Sequence, residues 1–400
     1  MRIGMMVDLY KPYISGVTIY IEVNRKYLEE LGHEVFIFTF SGEKEYVDDE
    51  PNVYRSPGLP IAEGFALNFV HTKRVKRVIQ TMDVIHVHHP FISGQLALRY
   101  CKPLNIPIVF TNHTRYDLYA QTYAPILTKE ISQTFIQTYL SRFCSRVDMV
   151  VSPSNGMAKI LRELNIDAPI TVVPNGVDIK KFRKVKNQTK RTELGFSLDD
   201  VLFIYSGRLA AEKNLPMVIK SFNAVAQAVD NARLLIVGSG SVEDILKDLA
   251  MQTIASNRIH FTGRVPYDEL PEYLSMSDAF VTASTSEVHP LSVIEAMASG
   301  LPVVGIASPG IEDTVEDGIT GMLSSNDPLV FTAKMMRLCL DKDLRLNMSR
   351  AALEASERYS IEHTGAVMLS HYERLVNQTE KQRHGIGYNL KKAWGNILAK

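Results

Sequence analysis

The chain has 400 residues, 46% of them hydrophobic and 22% charged, and its 44 Lys+Arg balance its 44 Asp+Glu to a formal net charge of +0. Because a single hydrophobic core stops growing near roughly 250–300 residues, this length predicts two domains, and the average composition excludes disordered and fibrous proteins. The balanced charge excludes nucleic acid as a partner recognised through overall charge. Three widely spaced cysteines exclude a disulfide framework and favour a reducing compartment.

The first 180 residues alternate short β-branched runs with helical patterns. The runs span residues 2–8, 34–40, 83–89, 107–113, 148–154 and 170–176. Since these runs are apolar throughout, they predict a parallel sheet covered by helices on both faces. Residues 1–180 are therefore predicted to form a doubly wound, Rossmann-like α/β domain. Asp8 and Lys11 interrupt the first run before a signal-peptide core forms, and no run of 18 apolar residues predicts a spanning helix.

Two residues of this first domain are candidates for a site. Gly16 lies in the predicted loop after the first strand, where a small residue lets the backbone approach a ligand; an ordinary turn glycine explains it equally well. His113 ends the predicted strand 107–113, either as a structural residue or as part of a site. The chain has no G-x-G-x-x-G pattern, which argues against a dinucleotide cofactor.

The HVHHP run is a weak candidate for metal binding. His86 and His88 share one face of a predicted strand, and His89 follows them, but the run supplies no carboxylate or thiol partner. Asp341 and Asp343, which form a D-x-D pattern, are interpreted as part of a solvated helix face. No metal is expected.

A polar segment and a second set of strands follow. Residues 181–200 are predicted to be a solvated linker, because seven Lys/Arg lie between Lys180 and Arg191 with almost no apolar periodicity. Strand runs then resume at 202–208, 232–240, 258–264, 278–284 and 301–307. Residues 201–360 therefore predict a second Rossmann-like domain. Residues 361–400 predict a helix that packs back on the first domain, plus a basic tail.

The segment GRLAAEKNL places two cations at the end of a predicted strand. Arg208 and Lys213 can neutralise a pyrophosphate there, which stabilises a departing nucleoside diphosphate. The alternative is a surface ion pair beside Glu212. The Gly-rich turn at 238–244 can approach the same nucleotide or serve only as a strand-to-helix turn.

Residues 286–300 carry the strongest signal, because Glu287 and Glu295 are separated by seven residues around a predicted helix start. Backbone N–H groups near Leu291 and Ser292 can bind a diphosphate, and the two glutamates can accept hydrogen bonds from sugar or ribose hydroxyls. Ser292 and Glu295 also fit a capping box, which would make Glu295 only a helix-start residue. The residues alone leave both interpretations open.

Taken together, these motifs resemble those of the family 4 retaining glycosyltransferases. Glu287 and Glu295 match the family's E-x7-E signature, and residues 207–214 are similar to its diphosphate-binding segment. Val288 and His289 replace the aromatic–glycine pair of the family, and Ser15 replaces the first of two adjacent glycines. The resemblance implies the GT-B fold, in which two Rossmann-like domains face each other across a cleft and a C-terminal helix crosses back.

The resemblance also implies the role of each site residue. In the family, the positions of Arg208 and Lys213 bind the diphosphate. Glu287 approaches the donor sugar and Glu295 holds the ribose. Backbone near Arg264 and Val265 reads the base, and His113 positions a sugar hydroxyl. The catalytic set is His113, Arg208, Lys213 and Glu287. The donor-binding set is Gly16, Arg208, Lys213, Arg264, Val265, Glu287, His289, Pro290, Leu291, Ser292 and Glu295, and the acceptor candidates are Arg115, Tyr116 and Asp117.

The activity that the resemblance implies is transfer of a hexose from a nucleotide-sugar to a hydroxyl, with retention and without a metal or another cofactor. UDP-glucose is the favoured donor and GDP-mannose the alternative. Residues 112–125 look like the acceptor segment of diacylglycerol and related lipid glycosyltransferases, so a membrane lipid is the favoured acceptor. A soluble sugar acceptor, a sugar-nucleotide epimerase and a non-catalytic nucleotide-sugar-binding protein are the alternatives.

Two basic segments can contact an anionic membrane surface. Residues 71–80 carry four cations, and residues 390–400 combine Trp394 and aliphatic residues with lysines. A solvated helix face and a floppy tail are the alternatives. We expect a cytoplasmic protein that binds the cytoplasmic face of the membrane peripherally.

Overall fold

A computed structural model describes residues 1–41, 48, 50–62, 65–67, 70–118, 128–183 and 188–398. The chain forms two compact units. Unit 1 comprises Met1–Pro153, Ala158–Val173 and Thr364–Lys400, and unit 2 comprises Ser154–Met157 and Pro174–His363.

Unit 1 is built on a seven-stranded parallel sheet with the order β3-β2-β1-β6-β7-β8-β9. The strands are β1 Arg2–Met6, β2 Glu34–Ser41, β3 Val53–Pro57, β6 Val84–Val87, β7 Ile108–Thr111, β8 Met149–Ser152 and β9 Ile170–Val172, and a separate antiparallel pair is formed by β4 Leu59–Ala62 and β5 Phe65–Leu67. The described helices of its first part are α1 Gly16–Glu30, α2 Lys73–Ile79, α3 Ile92–Cys101, α4 Lys129–Cys144 and α5 Asn155–Glu163.

The central strands of unit 1 are buried on both faces, which explains their continuous apolar runs. Ile3 and Met5 on β1 are fully buried, and an added Cβ at Gly4 would lie 2.5 Å from the Ile85 side chain on the neighbouring strand. The strand order reverses between β1 and β6. In open α/β sheets ligands bind outside the carboxyl ends of the strands at such a point.

Unit 2 contains a six-stranded parallel sheet with the order β12-β11-β10-β13-β14-β15. The strands are β10 Val201–Ser206, β11 Ala232–Val237, β12 Ile259–Gly263, β13 Ala279–Thr282, β14 Val303–Ile306 and β15 Gly321–Ser324. The described helices are α6 Ile179–Arg183, α7 Gln188–Glu193, α8 Leu215–Ala228, α9 Glu243–Met251, α10 Leu270–Ser275, α11 Leu291–Ala298, α12 Pro309–Glu312, α13 Pro328–Leu340 and α14 Lys342–Ala355.

Alternate residues of β10 enter two different cores. Phe203 and Tyr205 join a cluster on one face of the sheet, while Leu202 and Ile204 join the cluster on the other. Because both faces are covered, the strand is apolar at every position. The strand order of this sheet reverses between β10 and β13, which marks the expected ligand crevice of unit 2.

The unit boundaries differ from the predicted domains of 1–180 and 201–360. Unit 2 takes the chain from Pro174 onward, and residues 181–200, predicted to be a solvated linker, include part of α6 and all of α7. Phe182 is buried there, and the buried Arg191 donates to the carbonyl oxygens of Ser197 and Met276 at 3.0 and 2.8 Å. The sequence did not predict this burial, because a single buried cation in a basic segment produces no periodic pattern of apolar residues.

The final helix, α15, spans Ile361–Leu398. Its residues from Thr364 belong to unit 1, where Tyr372 is fully buried and its hydroxyl lies 2.6 Å from His86 Nδ1. Across the described helices, none combines the length and apolarity needed to cross a membrane.

Candidate active site

The crevice of unit 2 brings two of the predicted motifs together. Arg208 and Lys213 follow β10, and Glu287 follows β13, which is the paired neighbour of β10. The carboxyl ends of parallel strands meet at one edge, so residues 74 positions apart become neighbours there. The motif residues therefore converge where the sheet topology predicts a ligand.

Lys213 and Glu287 form an ion pair in this crevice. Lys213 Nζ lies 2.6 Å from Glu287 Oε1, and 23% and 16% of the two side chains are exposed. Burial acts to raise the pKa of Glu287, but the charge and hydrogen bond of Lys213 outweigh it and leave this pKa below its ordinary value. Burial acts to lower the pKa of Lys213, and Glu287 raises it above the ordinary value. Both groups are therefore charged at neutral pH.

Arg208 contacts a different carboxylate. Its guanidinium lies 2.7 Å from Glu212 Oε1, and 55% of the Arg208 side chain is exposed. The surface ion pair considered as an alternative for this segment is therefore present between Arg208 and Glu212. Lys213 is paired with Glu287 instead. Two cations and two carboxylates surround the end of β10, and a diphosphate would compete with the carboxylates for the cations.

Glu295 is not part of a capping box. Helix α11 begins after Pro290, which serves as N-cap without a side-chain hydrogen bond, so Ser292 lies inside the first turn. Glu295 is 4% exposed and accepts a hydrogen bond from the Tyr267 hydroxyl at 2.8 Å. Burial raises the pKa of Glu295 to about 7, although Tyr267 opposes the shift. Of the two interpretations left open by the sequence, the helix-capping one is wrong.

The first turn of α11 contains the residues that are predicted to bind an anion. The N–H groups of Val293 and Ile294 donate to the Pro290 carbonyl at 3.2 and 3.4 Å. Leu291 and Ser292 are the first two residues of this turn and are partly exposed. Their N–H groups belong to the positive end of the helix dipole.

The loop before α11 is held by contacts within unit 2. The Val288 carbonyl accepts a hydrogen bond from Ser154 Oγ at 2.7 Å, and the His289 carbonyl accepts one from Asn175 Nδ2 at 2.8 Å. A Cβ added to Gly310 would lie 2.5 Å from the Val288 carbonyl, so only glycine allows this approach.

The His289 side chain faces the protein interior. It is 5% exposed, its ring lies edge-on to Tyr359 at a centroid distance of 5.1 Å, and Nδ1 accepts from the Asn175 N–H at 3.3 Å. Burial lowers the pKa of His289 to about 3, so the ring is neutral. This differs from the donor contact expected for the side chain, because the ring is already engaged on both sides.

Three strand ends form a glycine-rich backbone surface beside Arg208. Gly238 has φ of +137°, and a Cβ there would lie 1.9 Å from the Gly207 carbonyl oxygen. The Gly238 N–H donates to the Gly263 carbonyl at 2.9 Å. Arg264, which follows β12, is exposed, while Val265 is half-buried against the core. The glycines of the 238–244 turn are thus explained by close approach of backbone to backbone.

The crevice of unit 1 contains His113, which is partly exposed just beyond β7. His113 Nε2 lies 3.1 Å from His88 Nδ1, and the Tyr20 ring lies edge-on at 4.8 Å. Burial lowers the pKa of His113 well below its ordinary value, so the imidazole is neutral. Gly16 begins α1 after the N-cap Ser15, and an added Cβ there would meet no atom within 4 Å. Open space surrounds Gly16.

The three predicted acceptor residues have partners within unit 1. Arg115 and Asp117 bind each other, with Arg115 Nη2 at 2.7 Å from Asp117 Oδ2. Tyr116 is 1% exposed, and its ring lies edge-on to Phe91 at 5.4 Å. The Tyr116 side chain is therefore a core residue in this structure. Of the acceptor segment 112–125, residues 119–125 lie outside the described residues.

The histidines of HVHHP and the D-x-D pattern have structural partners. Both ring nitrogens of His86 are engaged, with Tyr372 and Thr111 at 2.6 Å each. Asp341 caps α14 by accepting from the Leu344 N–H at 2.9 Å. The part of the chain that the structure describes contains no group of three or more side chains suited to a metal ion.

Two family models match this chain, one on each side of the middle. The model for Glycosyltransferase Family 4 matches residues 14–181, and the model for glycosyl transferases group 1 matches residues 186–355. The chain belongs to the family 4 glycosyltransferases.

Curated relatives of this glycosyltransferase match along most of its length. The alpha-monoglucosyldiacylglycerol synthase of Acholeplasma laidlawii is 28% identical and is covered over 99% of its length by 96% of this chain. The enzyme of the same name from Streptococcus pneumoniae is 29% identical, with 81% of this chain and 75% of that one covered. The sulfoquinovosyl transferase of Arabidopsis thaliana is also 29% identical, with 87% and 68% covered.

Solved structures share the GT-B fold of this glycosyltransferase. Sucrose-phosphate synthase from Thermosynechococcus elongatus has a TM-score of 0.76 at 18% identity, covering 94% of this chain and 99% of that one. Anabaena HepE in complex with UDP-glucose has a TM-score of 0.74 at 17% identity, covering 94% and 100%. The predicted family and the two Rossmann-like parallel-sheet domains are confirmed. The protein is a hexosyltransferase that uses a nucleotide-sugar donor.

Sequence reasoning missed three contributors to the glycosyltransferase site. Tyr267 holds Glu295, while Ser154 and Asn175 hold the loop that carries Glu287. The sequence could have pointed to Tyr267, because it lies two residues after Val265, whose backbone is expected to read the base. Ser154 and Asn175 gave no signal, since each is more than 110 residues from its partner in the chain.

Proposed function

We propose that this protein transfers glucose from UDP-glucose to the free hydroxyl of diacylglycerol, with retention at the anomeric carbon. The observation that carries the proposal is the Lys213–Glu287 pair beside Arg208 at the reversal point of the unit 2 sheet. It supplies positive charge for a diphosphate and a carboxylate for sugar hydroxyls in one place. The glucosyldiacylglycerol synthases named above support the acceptor, and the UDP-glucose complex of HepE supports the donor.

The donor is held by unit 2 in this proposal. Arg208 and Lys213 neutralise the diphosphate, the first turn of α11 binds it through backbone N–H groups, and Glu295 accepts hydrogen bonds from the ribose. Backbone near Arg264 and Val265 contacts the base. When the phosphate takes over Lys213, Glu287 is released to accept hydrogen bonds from the glucose hydroxyls.

The chemistry follows from this arrangement of charge. Bond breaking places negative charge on the leaving diphosphate, and Arg208 and Lys213 stabilise that charge more in the transition state than in the ground state. The acceptor hydroxyl attacks from the side that the diphosphate leaves, and a phosphate oxygen takes its proton. Glu287 remains ionised throughout and forms no covalent intermediate. His113 positions a sugar hydroxyl, and the His289 side chain supports the loop rather than touching the sugar.

The decisive experiment separates donor, acceptor and stereochemistry. Thermal unfolding with UDP, UDP-glucose, GDP and GDP-mannose identifies the donor, and labelled donor with diacylglycerol in mixed micelles then identifies the product. We expect UDP-glucose to stabilise most and the product to be an α-glucoside by NMR. Stabilisation by GDP-mannose alone, or labelled sugar found only on a soluble sugar or as an isomerised nucleotide, would overturn the assignment.

A matched pair of variants separates catalysis from binding alone. Glu287→Gln should strongly lower glucosyl transfer, because a neutral amide oxygen accepts hydrogen bonds from the sugar more weakly than a carboxylate does. Glu354→Gln, on the exposed face of α14, should be fully active. Equal activity of the two variants would contradict the proposed role of Glu287. A wild-type protein that binds UDP-glucose but transfers nothing would favour a non-catalytic binding protein.

We further propose that α2 contacts an anionic membrane surface. Val75 and Ile79 of this helix are buried in unit 1, which leaves the four cations Lys73, Arg74, Lys76 and Arg77 exposed. Each basic residue near an anionic leaflet contributes about 1 kcal/mol. Replacing all four with Gln should release the protein from vesicles of phosphatidylglycerol without changing transfer to micellar diacylglycerol. Equal binding to neutral phosphatidylcholine vesicles would refute an electrostatic contact.

The side chains of the second predicted segment, 390–400, lie outside the described residues.

A further inference from the structure

His88 and His113 share a single hydrogen bond in unit 1. His88 follows β6 and His113 follows β7, and these neighbouring parallel strands end at the same edge of the sheet. His88 Nδ1 and His113 Nε2 are 3.1 Å apart. Burial lowers the pKa of both imidazoles well below the ordinary value, so each ring is neutral and carries one N–H. One ring must donate and the other must accept.

The other nitrogen of His88 decides which ring donates. His88 is fully buried, and among the residues that the structure describes its Nε2 has no hydrogen-bond partner. If the proton were on Nε2, a buried N–H donor would be stranded, which is rare and costs the full desolvation of that group. A bare lone pair at Nε2 is less costly. The proton of His88 therefore lies on Nδ1, and His88 donates to His113 Nε2.

The tautomer of His113 follows from this direction. Because Nε2 accepts, the single proton of neutral His113 lies on Nδ1. This is the reverse of the preference of free imidazole side chains in water, which place the proton on Nε2. The Tyr20 ring lies edge-on to both rings, with centroids 4.8 Å from His113 and 5.7 Å from His88, and limits their rotation.

We propose that His88 is a positioning residue that holds His113 in the Nδ1–H tautomer, so that His113 meets the donor sugar as a hydrogen-bond donor and not as a base. The proposal rests on the proposed function for the identity of the sugar, but the tautomer rests only on the geometry of unit 1. His88 is fully buried, and it acts through the ring of His113.

Nitrogen NMR of the ¹⁵N-histidine-labelled full chain tests the tautomer directly. The resonances of His113 are assigned by their loss in His113→Gln. In the wild-type protein without ligand we expect a protonated Nδ1 and an unprotonated Nε2 for His113. A protonated Nε2 in the wild type would overturn the proposal, and this measurement needs no variant of His88.

Three variants then test whether His88 is the cause. His88→Leu removes the donor and should shift His113 toward the Nε2–H form. His88→Asn should preserve the Nδ1–H form, because its amide Nδ2 can donate in place of the imidazole Nδ1. His71→Leu is the matched control, since His71 is another buried neutral histidine of unit 1, bonded to Ser56 at 2.8 Å, and it should leave His113 unchanged. An unaltered His113 in His88→Leu would refute the inference.

Kinetics give a second readout with a distinct signature. His88→Leu should lower kcat on the order of tenfold to a hundredfold, the usual effect of a small misplacement at a reacting centre. UDP affinity should stay unchanged, because all the side chains proposed to hold UDP belong to unit 2, and Gly16 of unit 1 offers only backbone. His88→Asn should restore most of kcat. Parallel losses of UDP affinity and kcat in His88→Leu would indicate a merely structural residue. If the wild type transfers no sugar to any acceptor, the proposed function fails while the tautomer measurement still stands or falls by itself.

Discussion

Lys213 and Glu287 meet at 2.6 Å in a partly buried crevice, and each keeps the other ionised. Both groups are therefore already charged before a ligand binds. A bound diphosphate offers Lys213 a stronger partner than one carboxylate, and hydroxyls of the sugar offer Glu287 new donors.

Removing only the lysine should therefore destabilise the free protein. We expect Lys213→Met to lower the free energy of unfolding by about 1–3 kcal/mol, because Glu287 is left partly buried without its counter-ion. Adding Glu287→Gln should recover part of this loss. Urea unfolding of the two single variants and the double variant measures the coupling, and strictly additive effects would argue against the pair.

Glu295 predicts a dependence of stability and binding on pH. Burial raises its pKa to about 7, so between its ordinary value of 4.5 and about 7 the folded protein holds a proton that the unfolded chain releases. The contribution of protonated Glu295 to the free energy of unfolding is fully present below pH 4.5. It is lost as the pH rises through 7, and the total loss is about 3 kcal/mol. The unfolding free energy of the wild type should fall more steeply over this range than that of Glu295→Gln.

UDP affinity should follow the opposite trend, since an ionised Glu295 accepts better from ribose hydroxyls. We expect UDP to bind more weakly below pH 7 in the wild type and to lose this dependence in Glu295→Gln. The Tyr267 hydrogen bond acts to lower the pKa of Glu295, so Tyr267→Phe should move the midpoint upward. Calorimetric titrations at several pH values measure it, and a flat wild-type profile would contradict the assignment.

The strand-to-helix turns of unit 2 impose a second level of constraint. After β10 and β11 the backbone of Gly207 and Gly238 approaches too closely for a Cβ, and the Leu209 N–H donates to the Ser239 carbonyl at 3.0 Å. These turns form the floor beside Arg208. Because the two turns pack backbone against backbone, the position of Gly238 has no room for a side chain.

Gly238→Ala should consequently cost about 3 kcal/mol or more in the free energy of unfolding, from a steric clash and from strain at φ of +137°. The matched control is Gly195→Ala, where φ is +80° but no atom lies within 4 Å, and only strain of about 1 kcal/mol is expected. Denaturant unfolding compares the two. A similar cost for both would mean that the close approach of the turns contributes nothing.

At the scale of the whole molecule, the two units have separate sheets and separate cores, and the proposed donor residues concentrate in unit 2. Gly16 and His113 are the exceptions in unit 1. Anything that binds the native state alone stabilises the part that it contacts. The nucleotide and the acceptor are thus expected to act on different parts of the chain.

Hydrogen exchange with and without UDP tests this division. Amides at the ends of β10 and β12 and in the first turn of α11 should exchange more slowly with UDP, because the nucleotide orders their surroundings. Amides of β6 and β7 in unit 1 should change little. Protection centred on unit 1 would place the nucleotide in the wrong unit and contradict the roles proposed for Arg208 and Glu295.

Patterns local in the chain carried much of the prediction. Continuous apolar runs identified the parallel strands, and the ends of two runs placed Arg208 and His113 at a strand's carboxyl edge. Glu287 was found instead by its spacing from Glu295 around a predicted helix start. Such patterns could not show that residues 181–200 belong to a folded unit and not to a linker. Arg191 is anchored there by backbone carbonyls, one of them 85 residues away at Met276, and no local pattern indicates such contacts. Tyr116 shows the same limit, since its burial depends on Phe91.

Composition, periodicity and motif spacing were therefore enough to predict two parallel α/β domains, and they also predicted a diphosphate-binding segment and a pair of glutamates as a candidate site. The partner of each of these residues became visible only in the fold. Glu295 bonds to Tyr267 instead of capping its helix, His289 turns into the core, and His88 meets His113. The physical reason is that periodicity is set by neighbours along the chain, whereas a hydrogen bond or an ion pair is set by which strands end side by side.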